Sequence, residues 1–160
     1  MSLFCILCVG KLRESYWRDA MAEYQKRLSR LGGLDILECP DLPEPKNASP
    51  ADVRRIIEAE GEALLSRLKP RDHVIALCVE GKQLDSPSLA QRLSRLEDTS
   101  VGRIVFIIGG SNGLSEAVIR RADEQLSFSP MTFPHQLARV MLAEQVYRAR
   151  KILAGETYHK

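Results

Sequence analysis

Three short stretches carry residue types from which a binding site can be built. The first is "IIGGSNGLS", residues 107–115, where Gly109 and Gly110 follow an apolar run and Gly113 precedes a helix signal. Adjacent glycines let a ligand lie against bare backbone, and N–H groups at a helix start favour an anion or a polar edge. The order is GGxxG, not the GxGxxG of dinucleotide folds, and no Gly-Lys-Ser/Thr closes it as in a phosphate-binding loop. On these residues alone an ordinary tight turn explains it equally well. The second stretch, "LCVEGKQL" at 77–84, sets Gly81 between Glu80 and Lys82 and reads as a loop with exposed charges. The third, "SFSPMTFPHQ" at 127–136, is apolar and stiff where a surface turn would be polar. Pro130 and Pro134 restrict themselves and the residues before them. Phe128, Met131 and Phe133 then form either a clamp for a flat ligand or a plug under a sheet, and composition leaves the two level.

Other reactive side chains point to structure. Cys5 and Cys8 have CxxC spacing, but "LFCILCVG" is a continuous apolar run. Residues three apart in a strand face opposite ways, and no second CxxC or CxxH completes a zinc site. These cysteines therefore read as small buried hydrophobes, reduced as in the cytoplasm. His73 opens a strand and reads as structural, and His135 as a capping or loop-packing residue. The terminal "TYHK" reads, by itself, as a frayed polar tail.

The elements that must hold these stretches alternate along the chain. Apolar runs at 3–9, 73–79 and 103–110 read as buried strands, and 34–39 as a half-buried one. A short extended segment follows at 124–129. Trp17, Met21, Tyr24, Leu28 and Leu31 recur at helical spacing within 14–31, which Gly32 and Gly33 stop. Residues 40–50 hold four prolines and read as a loop. Ser49-Pro50 caps a helix to about residue 68, and Ser86-Pro87 repeats the signal for a helix over 88–97. Ser115 starts a short helix to about 122. The longest helix, 135–153, shows a stripe of Leu137, Val140, Met141, Val146, Tyr147 and Leu153. The alternation predicts one α/β domain over residues 1–160, with a mainly parallel sheet and helices on both faces. Such sheets bind ligands at the carboxyl ends of their strands, which is where the three stretches fall.

Charge gives a weaker indication. The chain carries a net +2, with +3 between Pro134 and Lys160 and −1 elsewhere. That basic end is either a polyanion-binding face or a solvated helix face. The start of the chain lacks the basic and apolar regions of a secretory signal, and no apolar run approaches membrane-spanning length. A cytoplasmic protein with no membrane partner and no metal is expected.

Taken in order, the segments resemble one family. "ILCVGKLRESYWRDAMAEYQKRLSR", "EGEALL", "ALCVEGKQL", "IGGSNGLS", "LSFSPMTFPHQLARVMLAEQVYRA" and "GETYHK" are similar end to end to the RlmH family of SPOUT-class methyltransferases. The resemblance implies a SPOUT fold with a trefoil knot in its C-terminal part, an exception to the rule against threaded chains. It implies a homodimer that uses S-adenosylmethionine to methylate N3 of a pseudouridine in large-subunit ribosomal RNA, on the assembled ribosome. By motif match the cofactor contacts are Leu77, Gly109, Gly110 and the run Phe128, Ser129, Pro130, Met131, Thr132, Phe133 and Pro134. Arg148, Tyr158 and His159 match positions linked to activity. Two residues depart from the pattern: Cys78 stands where an acidic residue is frequent, and Pro130 replaces a lysine. The second removes a charged contact.

The implied chemistry is transfer of a sulfonium methyl group to a ring nitrogen. It needs alignment of two bound reactants and a nucleophile freed of its proton. His159 is the expected base, Tyr158 the group that orients the target base, and Arg148 the cation that steadies the developing anion or holds a phosphate. Two rival readings share the strand-end loops: a SPOUT methyltransferase acting on tRNA, and a non-catalytic nucleotide-binding α/β module.

Overall fold

The computed structural model describes residues 2–99 and 102–160. Its strands are β1 (Phe4–Val9), β2 (Leu34–Cys39), β3 (His73–Gln83), β4 (Ile104–Ile108) and β5 (Glu124–Ser127). They form one sheet in the order β2-β1-β4-β3-β5, with every pair parallel. The helices are α1 (Ser15–Leu28), α2 (Pro50–Ser66), α3 (Ser86–Asp98), α4 (Glu116–Arg121) and α5 (His135–Leu153). The expected α/β architecture is therefore present, with helices on both faces.

Alternation of side chains along the central strands sorts the core into two layers. Phe4, Ile6, Cys8, Ile104, Phe106 and Ile108 pack against α1, α3 and α5. Cys5, Leu7, Val9, Val105 and Ile107 pack against Leu64 of α2 and Val118 of α4. Cys5 and Cys8 thus lie on opposite faces, both fully buried, and burial pushes their thiols up to about 11 and about 12. At the opposite end of the sheet Arg103 donates to both Asp72 oxygens, at 3.0 and 2.7 Å, which joins the starts of β3 and β4. That ion pair is almost wholly buried, so neither partner can be removed without stranding a charge.

Local signals place most helix starts. Ser49 caps α2 in a full capping box with Asp52, with Pro50 in the first turn, and Ser115 accepts from Val118 N at the start of α4. The cap of α3 differs from the sequence reading. Asp85, not Ser86, accepts from Ser88 N, because aspartate caps as well as serine and stands one residue earlier.

Three further differences matter for function. Strand β3 runs on to Gln83, through residues whose local pattern is that of a loop. Leu77 and Lys82 both pair with Leu126, so the chain between them arches around β5. Gly81 permits that approach: a Cβ there would lie 2.6 Å from the Leu126 carbonyl carbon. Second, the buried stripe of α5 is Ala138, Arg139, Leu142, Ala143, Val146 and Ala149. Small alanines let this helix sit close to its neighbours. Of the stripe read from the sequence only Val146 is buried; Val140, Met141 and Tyr147 are half-buried and Leu153 is exposed. Third, the basic C-terminal segment is largely neutralised from within. Arg139 is fully buried and donates to Glu38 and to the carbonyls of Val9 and Gly10. Arg150 pairs with Glu97, Arg148 with Glu144 and Lys151 with Glu156. Of the cations in this segment Arg139 is thus an internal pin, and Arg148, Arg150 and Lys151 are partnered by carboxylates nearer the surface.

Candidate active site

The loop that leaves β3, the end of β5, the inner face of α5 and the chain's last residues enclose a cleft of about 800 Å³. Leu84, Pro87, Phe128 and Met141 give it apolar walls, and Glu144 and His159 give it a polar side. Phe128 of the proline-rich stretch and His159 of the tail, 31 positions apart in sequence, thus face one space. Asp85 also lines it, its carboxyl held below the usual range by hydrogen bonds from Ser88.

Glu144 organises the polar side. Its Oε1 accepts from Arg148 Nε at 2.8 Å and its Oε2 from the Tyr158 hydroxyl at 2.7 Å. Arg148 and Glu144 are one helical turn apart, so α5 itself sets their geometry. The Arg148 guanidinium also lies 4.8 Å from the centre of the Tyr158 ring. Tyr158 packs edge-on against Tyr147, ring centres 5.0 Å apart. The carboxylate beside it, reinforced by burial, pushes the Tyr158 hydroxyl up to about 12, so it is a hydrogen-bond donor and not a base. Arg148 Nη1 stands 3.1 Å from His159 Nδ1. A guanidinium only donates, so Nδ1 accepts and the hydrogen of the neutral ring sits on Nε2. The tail is docked by these contacts rather than frayed.

The proline-rich stretch crosses the surface as a strap. Met131 is 71% exposed and Pro130, Thr132 and Pro134 are also exposed, whereas Phe128 packs on the core. A plug under the sheet is therefore not what these residues form. Reciprocal bonds between Ser127 Oγ and the backbone of Ser129, and one from Met131 N to Ser129 Oγ, hold its first half.

The glycine loop and the end of β3 lie side by side. Ala76 is in register with Ile107, which puts Leu77 next to Ile108 and so beside Gly109. Neither Leu77 nor the two glycines line the cleft that holds Phe128 and His159. Much of the demand for glycine here is internal. A Cβ on Gly109 would meet Gly113 O at 2.9 Å, and one on Gly110 would meet Glu60 Oε1 at 3.1 Å. Cys78 Sγ approaches Gln125 Oε1 at 3.5 Å, and burial raises its thiol. His73 bonds Glu124 at 2.5 Å, next to the Arg92–Glu124 pair, as a structural residue would. His135 caps nothing: its Nδ1 is buried without a partner, and burial with the charge of Arg139 holds the ring neutral.

Sequence reasoning missed two acidic residues. Glu144 was legible only as the partner one turn before Arg148. Glu60 had no signal, being one of many glutamates in α2. It is 4% exposed and accepts from Leu42 N at 3.3 Å. Burial, with the charge of Asp41, raises its carboxyl. Among the described residues no three metal-binding side chains cluster, and no helix is long and apolar enough to cross a membrane.

Comparison with known proteins agrees with this architecture. Residues 3–159 match the family model described as "Predicted SPOUT methyltransferase". A crystal structure described as a "Probable Methyltransferase from Bordetella pertussis Tohama I" aligns with a TM-score of 0.56 and 18% identity, over 93% of this chain and 95% of that one. A "probable methylase family protein from Haemophilus influenzae Rd KW20" aligns with a TM-score of 0.54 and 11% identity, over 99% of this chain and 71% of that one. At such identities the two structures speak for the fold, and the family model, spanning nearly every residue, speaks for descent: the chain belongs to the SPOUT methyltransferase family.

Proposed function

We propose that this methyltransferase transfers a methyl group from S-adenosylmethionine to N3 of a pseudouridine in large-subunit ribosomal RNA, on the assembled ribosome, in the cytoplasm. The observation that carries the reading is the joining of Phe128 and His159 in one cleft. The cleft suits the cofactor in size and character: pockets for such ligands run to roughly 300–1,000 Å³, mostly apolar with a few placed polar groups. Asp85, its carboxyl held below the usual range by Ser88, complements a cationic ligand. When bound, S-adenosylmethionine supplies an electrophilic methyl group.

The protein's own residues supply position and charge. Phe128 would hold the cofactor inside the cleft, and Leu77, Gly109, Gly110 and the rest of the strap, Ser129, Pro130, Met131, Thr132, Phe133 and Pro134, would hold it along the adjoining carboxyl edge of the sheet, the prolines restricting that backbone. Tyr158 orients the target and Arg148 faces the negative charge that forms on the ring. His159, with Nδ1 turned to Arg148, presents Nε2–H to a carbonyl of the target. It takes the ring proton once it turns from Arg148 and frees Nδ1.

The trefoil knot and the homodimer belong to the same reading. Val140, Tyr147 and Leu153, left partly uncovered on α5, support a second copy packing there. The test is transfer of labelled methyl from S-adenosylmethionine to large ribosomal subunits, free ribosomal RNA and tRNA, followed by mass mapping. One methylated pseudouridine, formed on ribosomal particles, is expected. Methylation of tRNA alone would replace the substrate, and no transfer to any RNA would refute the activity.

A further inference from the structure

Four large apolar side chains stand exposed among the described residues: Tyr16 (62%), Val79 (45%), Met131 (71%) and Leu153. Three of them share the carboxyl end of the sheet: Tyr16 and Met131 follow β1 and β5, and Val79 lies in the part of β3 that runs on past its pairing with β4. Val79 and Met131 border the cofactor loops already described. Tyr16 does not. It stands in the first turn of α1, where its ring meets that of the half-buried Trp17 at a tilt of 59°, centres 5.0 Å apart. That contact fixes the ring while leaving most of it open to solvent.

Its surroundings are basic. Lys11 and Arg13 are exposed and have no ion-pair partner among the described residues. Arg18 donates to the carbonyls of Leu12 and Arg13, which holds this loop in shape. Glu14 and Asp19 are the acidic residues nearby in sequence. The loop begins at Gly10, which lies against His135, the first residue after the cofactor strap. At about 4.8 Å between neighbouring strands, β1 stands two strands, or about 10 Å, from β3. Arg139, Arg148, Arg150 and Lys151 are tied to carboxylates, whereas Lys11 and Arg13, like Lys82 of β3, stand exposed with no ion-pair partner among the described residues.

We propose that Tyr16, with Lys11 and Arg13, is a docking platform for an unpaired nucleotide of the RNA substrate beside the target base. A fixed aromatic face stacks any base, and two free cations hold the flanking phosphates. Duplex RNA hides its base faces and cannot use the stack. This rests on the RNA-methyltransferase reading above.

The test uses the full chain and fluorescein-labelled single-stranded RNA of about 12 nucleotides, a length within the range that such grooves hold. A duplex of the same composition is the comparison. Tyr16→Ala weakens single-strand binding about five- to 150-fold, the range that stacking on one base implies. It leaves duplex binding and S-adenosylmethionine affinity unchanged, and Tyr16→Trp restores the loss. Lys11→Ala with Arg13→Ala lowers the slope of log K against log salt by about 1.4, from about 0.7 per phosphate contact. Single-strand affinity within twofold of wild type in Tyr16→Ala overturns the platform. So does a changed mass in light scattering, which would make the patch a protein contact. If wild type methylates RNA while these variants bind it normally, only the platform falls. If wild type methylates no RNA, the functional reading falls with it.

Discussion

At the scale of single residues, Glu144 decides how the polar side of the cleft is arranged. It fixes both Arg148 and Tyr158, and through Arg148 it fixes His159. Glu144→Gln keeps the shape and removes the charge. Each hydrogen bond to a charged group contributes about 1.5–3 kcal/mol, so single-turnover transfer should fall about ten- to hundredfold. The side chain is partly exposed, and melting should move little. A rate within twofold of wild type would show that the tail is held by other contacts. Residue chemistry was partly legible in the sequence. Cys5 and Cys8 declared themselves buried through their apolar neighbours. The Glu144–Arg148 pair needed only the helical repeat. The partner of His159 was not legible, because nothing in "TYHK" says where a chain end returns.

At the scale of elements, strand–helix alternation gave the sheet and nearly every helix, since period and capping are local properties. Two features escaped for physical reasons. Strand β3 continues past Val79 because β5 comes back to pair with it, a long-range contact invisible to local pattern. The stripe of α5 differs because hydrophobic size does not reveal burial, and half of its buried residues are alanines. Helix α2 carries a pH signature at this scale. Glu60, raised by burial and by Asp41, is favoured in its protonated form when folded. Its contribution to stability is therefore complete below the unfolded carboxyl value of about 4.3 and is lost as pH rises through the higher folded value. Glu60→Gln mimics the protonated acid. Thermal melts should show it more stable than wild type at neutral pH, with the gap closing as the pH falls to about 4. A gap that is constant with pH would mean that the Glu60 carboxyl titrates alike in the folded and unfolded chain.

At the scale of the whole molecule, the account rests on the chain's end returning to a cleft built from the β5–α5 connection. Family membership covers residues 3–159 and so includes both parts. The sequence disclosed each part only through the ordered resemblance; the structure brings Phe128 and His159 to one space. The most direct measurement is the single-turnover rate of methyl transfer by His159→Ala on the natural RNA substrate, with S-adenosylmethionine affinity determined by calorimetry on the same preparation. The account predicts a rate reduced about a hundredfold or more, the usual worth of a positioned proton acceptor, with cofactor affinity largely retained. A near wild-type rate would contradict it and return the tail to a structural role.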